Sequence, residues 1–146
     1  MPDRFILYDG LAPEQADVSA LAGRVGKLFG EDCVELRDDF FAHWVEKTGR
    51  EVDRDALCRR MARARVHQPD RQAPDREPAP AELDYEDRFL TAGSDRPSGV
   101  LYDGNLVLGL CASLIAPEEL GKHCCHIAFT PQFFGTWGGA RYHARV

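Results

Sequence analysis

No stretch of this chain approaches the roughly 20 consecutive apolar residues needed to cross a bilayer. The amino terminus, MPDRFILYDG, has too short an apolar run for the core of a signal peptide. These absences make the cytoplasm the expected location and exclude a membrane partner. In that compartment the 5 cysteines read as reduced thiols or metal ligands rather than disulfides. Basic excess is missing too: 18 Lys and Arg stand against 24 Asp and Glu, a net charge of −6. A surface that tracks phosphates normally shows the opposite balance, so nucleic acid is excluded as an expected partner. There is no glycine-rich loop leading into Lys-Ser or Lys-Thr, and no glycine triplet after the first strand, so no nucleotide fingerprint. The HExxH helix of zinc proteases and the Gly-x-Ser-x-Gly elbow of serine hydrolases are also absent. No internal repeat is evident.

What is present reads as one soluble domain, residues 1–146, with 44% hydrophobic and 29% charged residues. Arg4–Tyr8 is a buried strand stopped by the turn dipeptide Asp9-Gly10. Pro13 sits at a helix start, and Val18, Leu21, Ala22, Val25, Leu28 and Phe29 recur at helical spacing until Gly30. Cys33–Arg37 alternates as a half-buried strand. This opening strand–helix–strand unit predicts a parallel pair joined by a right-handed crossover.

Asp38-Asp39 caps a short segment with Phe40, Phe41 and Trp44, broken at Thr48-Gly49. Asp53 starts a second helix with Leu57, Met61 and Ala64 on one side and Arg59, Arg60, Arg63 and Arg65 on the flank. Nearby acids, Glu77 among them, make a solvated, acid-paired face the economical explanation of those arginines. From about residue 68 to 81, Pro69, Pro74, Pro78 and Pro80 alternate with charged residues and predict a surface loop. Glu82–Leu90 reads as extended, and Val100–Tyr102 as a strand ending in Asp103-Gly104. Leu106–Ile115 is a buried helix or a central strand, with a helix favoured, and Ala116–Glu119 resembles a second helix start. The expected fold class is α+β or α/β: a mixed sheet of four to six strands with two to four covering helices.

The chemistry-bearing residues gather in the last quarter, HCCHIAFTPQFFGTWGGARYHARV. His126–Phe129 and Arg141–Val146 read as extended runs on either side of an aromatic, glycine-rich loop, Phe133–Gly139. Cysteine and histidine suit zinc or copper. In an extended segment, though, His123 and Cys125 share one face while Cys124 and His126 share the other, so at most two of them can meet one ion. Adjacent Cys124 and Cys125 also lack the spacing of a zinc knuckle. His126 and His143 form the better pair if the two runs make a hairpin. Two core histidines, hydrogen-bonded and inert, are the plain alternative. Phe133, Phe134 and Trp137 are either a binding wall or the lid of the core. Asp38 and Asp39 near His43 make an acid–base cluster conceivable, but a helix cap accounts for them more simply.

LYDG at Leu101–Gly104, HIAFT at His126–Thr130, FFGTW at Phe133–Trp137 and RYHAR at Arg141–Arg145, with DDFF at Asp38–Phe41 and RARV at Arg63–Val66, resemble an uncharacterised prokaryotic family of predicted metallopeptidases. That family's name suggests kinship to the archaemetzincin-like zincins. The resemblance runs from about Asp32 to the last residue. It implies a zincin-like N-terminal half that stops short of the metal-binding helix, which family members carry in a further C-terminal segment, and so a metallopeptidase-like domain expected to be incomplete or inactive on this chain. It also implies zinc that polarises a scissile carbonyl and activates a water, with a peptide or protein as substrate. On that view His126, His143 and His123 are candidate metal ligands, Trp137, Arg141 and Phe134 line the substrate site, and no catalytic base can be named. The rival expectation is a non-catalytic binding or oligomerisation domain with structural histidines, pairing with a second copy through an edge strand. A cysteine–histidine metal-trafficking or redox role rests on His123–His126 alone.

Overall fold

The computed structural model describes residues 1–73, 75–92 and 99–145. Pro74 and Val146, which enter the expectations above, lie outside the described residues. The fold is mixed α+β, with six strands divided between two sheets of three. Internal contacts group the chain into two compact units. One takes in Met1–Arg50 and Ile115–Pro131; the other takes in Glu51–Ala92, residues 99–114 and residues 132–145.

In the first unit, β1 (Arg4–Asp9) lies between β2 (Val34–Asp38) and β4 (Cys124–Phe129), parallel to both. The expected strand–helix–strand opening is present. Helix α1 (Val18–Phe29) follows Pro13 by a turn. It is capped by Asp17, whose carboxylate accepts the Ala20 N–H at 2.8 Å, and it stops at Gly30 with φ 112°. Its apolar residues are only partly used. Val18 is buried and Phe29 packs on Phe5 with ring centroids 4.7 Å apart, but Leu28 is 78% exposed. Asp39 caps the next helical segment, accepting the Phe41 and Ala42 N–H groups at 3.0 and 3.1 Å. That segment, Ala42–Lys47, is wound wide, with Thr48 N–H bonded to the His43 carbonyl five residues back. It folds Phe40 and Trp44 into the core beside Ile6 and Tyr8.

In the second unit, β5 (Phe133–Gly138) lies between β3 (Leu101–Asp103), to which it is parallel, and β6 (Arg141–Arg145), to which it is antiparallel. Helices α2 (Arg54–Arg63), α3 (Pro80–Ala92) and α4 (Gly104–Leu114) complete it. Asp53 caps α2 through the Ala56 N–H, and Leu57, Met61 and Ala64 are buried, as their spacing implied. The chain after α2 runs beside β3: Val66 N–H bonds Leu101 O at 2.8 Å, and Asp103 N–H bonds Ala64 O at 2.7 Å.

Three expectations are corrected. Glu82–Leu90 is helical, not extended. Its inward residues are Leu83, Glu86, Phe89 and Leu90, a helical spacing hidden by a fully buried glutamate. The segment Phe133–Gly138 is a strand rather than a loop, so the hairpin is β5–β6 and not His126–Phe129 with the terminal run. Ala116–Glu119 makes only a short turn, Pro117–Glu119, instead of starting a second helix. Helix α4, by contrast, forms as favoured; Val107, Leu110 and Leu114 are buried while Leu108 is exposed. No helix among the described residues is long and apolar enough to cross a membrane.

Candidate functional site

In the first unit the polar residues of one sheet face converge on Tyr8. Strand pairing places Arg37 opposite Tyr8, and His126 opposite Ile6, so alternation turns all three side chains to the same face. The hydrogen-bond network assigns the protons. His126 Nε2 lies 3.0 Å from the Glu119 carbonyl, which can only accept, so Nε2 carries the proton. His126 Nδ1 is then the acceptor for Tyr8 OH at 2.9 Å. Tyr8 in turn accepts from Trp44 Nε1 at 3.0 Å and from the Arg37 guanidinium at 3.4 Å.

Arg37, only 8% exposed, forks onto both oxygens of Glu119 at 2.8 Å and donates Nε to Glu35 at 2.6 Å. It also donates to His43 Nε2 at 3.1 Å, which fixes His43 as a neutral ring. Burial and then the Arg37 charge hold the His43 pKa below its ordinary value. The Arg37 hydrogen bonds hold the carboxyls of Glu35 and Glu119 below the usual range, against the opposing effect of burial. Every ring or hydroxyl position of Tyr8 and His126 that can bond is bonded within the protein. The cluster ties three strands and the wide-wound turn together.

The other histidine candidates are distributed differently from the expectation. His143 is on β6, in the second unit, and donates Nε2–H to Gly138 O at 2.8 Å. His126 lies on β4, whose partner is β1, so the two histidines are not cross-strand neighbours. His123 is exposed and pairs with Asp3 at 2.8 Å. Cys124 and Cys125 are free and alternate along β4, opposite Arg4 and Phe5. Trp137 does share a hairpin with His143: its ring meets Tyr142 edge-on at 5.0 Å, Arg141 pairs with Gly138, and Phe134 packs toward Tyr102. Among the described residues, no group of three or more His, Cys, Asp or Glu is placed to hold a metal ion.

A cavity of about 620 Å³ lies in the second unit instead, within the size range of small-molecule sites. The end of α2 and the chain beyond it form one side through Arg63, Arg65 and His67, and the Pro-rich stretch supplies Arg71, Gln72 and Arg76. Asp103, Leu106 and Tyr142 form the other side. Asp103 is the anchor of that side: it caps α4 by accepting the Asn105 and Leu106 N–H groups at 2.9 and 3.2 Å, and it accepts Tyr142 OH at 2.6 Å. Burial, with the bond to Asp103, pushes the Tyr142 phenol up to about 12.

The lining arginines differ in what they hold. Arg63 pairs with Glu77 at 3.2 Å, an acid that also takes Arg59, as the solvated-face reading anticipated. Arg65 donates Nε to the buried Glu86 at 2.6 Å and stacks over the Tyr85 ring at 4.6 Å. Among the described residues its NH2 group is buried without a hydrogen-bond partner, as is Arg63 Nε. Glu86 also accepts Tyr102 OH, 3.2 Å from each carboxylate oxygen; burial raises its pKa despite Arg65. Arg76 forks onto Glu82 at 2.7 and 3.0 Å. Burial pushes the Glu82 carboxyl upward, but the bonds from Arg76 and the Ala79 N–H outweigh it, and the net shift is downward. Arg71 is exposed at the cavity, and its guanidinium makes no hydrogen bond or ion pair among the described residues.

The sequence reading passed over this site. Its signal was the arginine-rich end of α2 running directly into a proline- and glutamine-bearing stretch. Taken separately, those features read as a solvated face and a loop. A model of a family of unknown function (DUF7001) matches residues 6–146. No curated protein and no solved structure matches the chain.

Proposed function

The chain belongs to that family, and we propose that it is a binding domain whose second unit takes up a small anionic ligand. The observation that supports this reading is Arg71. It stands at a cavity of about 620 Å³ with its guanidinium unpaired among the described residues, while the other lining arginines already hold Glu77, Glu86 and Glu82. A guanidinium presents donors in a planar fork that matches a carboxylate or phosphate edge. Gln72, bonded to the Tyr142 side chain, lines the same cavity. This reading takes up the binding-domain alternative of the sequence. The zinc-peptidase expectation draws no support from the family description or from the placement of His126, His143 and His123.

The test is a titration with inorganic phosphate and with malonate, followed by backbone amide NMR shifts. Saturable shifts are expected at residues 63–76, 103 and 142. Arg71→Ala should weaken the affinity about tenfold or more, since a charge-assisted hydrogen bond contributes roughly 1.5–3 kcal/mol. Shifts that never saturate, or an Arg71→Ala protein that binds as the parent does, would remove the proposal.

A further inference from the structure

Half of the residues lining the cavity belong to one stretch between α2 and α3, from His67 to Arg76. The described residues of that wall form no helix or strand. Near its start, Pro69 O accepts the Tyr142 N–H at 2.5 Å, fastening it to β6. At its middle, Gln72 bonds the Tyr142 side chain, and both ends of the wall meet at one further side chain. Glu82, in the first turn of α3 and with its side chain 12% exposed, holds His67 at 2.9 Å and Arg76 at 2.7 and 3.0 Å. The same carboxylate accepts the Ala79 N–H at 2.7 Å, which closes the helix start. Arg76 also donates to Ala62 O at 3.0 Å, drawing the far end of the wall back onto α2.

Building on the pocket reading, we infer that Glu82 is the latch of the cavity: one carboxylate holds both ends of the outer wall, and its release frees the wall to open about Pro69 and admit or discharge the ligand. The arrangement suits an anionic ligand in particular. Arg76 lines the cavity while it is bound to Glu82, so an incoming carboxylate or phosphate offers it a second partner of the same chemistry. Latch and ligand then compete for one guanidinium. The wall carries Arg71 with it, so opening draws that guanidinium away from the site at the same time.

The latch is tested without ligand, by amide hydrogen exchange of the whole chain in the parent, Glu82→Gln and His67→Asn. Glutamine keeps an oxygen for the Ala79 N–H, so α3 retains its start. His67 is half-exposed, and its replacement loosens one end only. Expected is exchange at residues 67–79 about tenfold faster in Glu82→Gln and less in His67→Asn, with α2 and β3 unchanged. Unchanged exchange at 67–79, or an equal rise across α2 and β3, would overturn the latch. Phosphate dissociation, measured by NMR line shape on the same proteins, should quicken in step with exchange. Phosphate that binds but leaves at the parent rate also overturns it. Faster exchange with no phosphate binding in any of the proteins sinks the pocket reading, and the ligand gate with it.

Discussion

Two arginine-centred regions of the molecule, similar in composition, are put to opposite uses. Around Arg37 the hydrogen-bonding capacity is spent inside the fold: Glu119 and Glu35 take the guanidinium, and Tyr8, Trp44 and His126 form a closed relay of donors and acceptors. Around the cavity of the second unit, donors are left over. Among the described residues, Arg65 NH2 and Arg63 Nε lack partners, and Arg71 stands at the cavity unpaired. A group that is already bonded loses on binding anything else, whereas an unpaired one gains. The difference teaches that a concentration of His, Arg and aromatic side chains marks a site only where the hydrogen bonds do not close on themselves. His126 and its neighbours form a brace; the cavity keeps unsatisfied donors among the described residues.

The largest effect should come from breaking the brace. Arg37→Ala leaves Glu119 and Glu35 without their partner at a partly buried position, and should cost about 3 kcal/mol in urea denaturation. A cost near zero would mean that the Arg37 cluster is not what holds β1, β2 and β4 to the wide-wound turn.

Acid should sharpen the same contrast. Glu35 and Glu119 have folded pKa values below their unfolded value of about 4.3. Their contribution is therefore present above that pH and is lost as the pH falls through the folded values. Stability followed by urea midpoint should drop on acidification below about pH 5, and Glu119→Gln should flatten the drop. An unaltered slope in Glu119→Gln would show that the acid sensitivity arises elsewhere.

The smallest effect lies in the β5–β6 turn. Ala140 sits at φ 67°, beside Gly139 at 57°, in the left-handed region that costs a residue with a Cβ about 1–2 kcal/mol. Ala140→Gly should gain up to about 1 kcal/mol once the extra freedom of glycine in the unfolded chain is set against that relief. A lowered urea midpoint would contradict it.

The legible parts of the fold were those in which burial coincides with apolar character. FILY before Asp9-Gly10, the Asp53 cap and the spacing of Leu57 and Met61 all specify their elements locally. Where burial falls on a charged side chain the pattern inverts. Arg37 turns inward on β2 while Leu36 stays 43% exposed, and Glu86 occupies the core face of α3. Strand β5 was concealed by its glycines. Gly135 sits mid-strand with the Leu101 side chain and His143 O about its open side at ordinary contact distance, so a residue that reads as loop is carried by the strand pairing around it. The cavity was hidden for another reason. Its wall and its base are separated in sequence, joined by contacts such as Tyr142 N–H to Pro69 O that no local pattern announces. The bond from Tyr8 to His126, 118 residues apart, was beyond the same horizon.

The measurement that bears most directly on this contrast is a phosphate titration of three proteins side by side: the parent, Arg71→Ala and Glu119→Gln. Removing the Arg71 guanidinium should weaken binding tenfold or more, while altering the brace at Glu119 leaves it unchanged. Equal losses in both variants, or no saturable binding in the parent, would contradict the assignment of bracing to one region and ligand binding to the other.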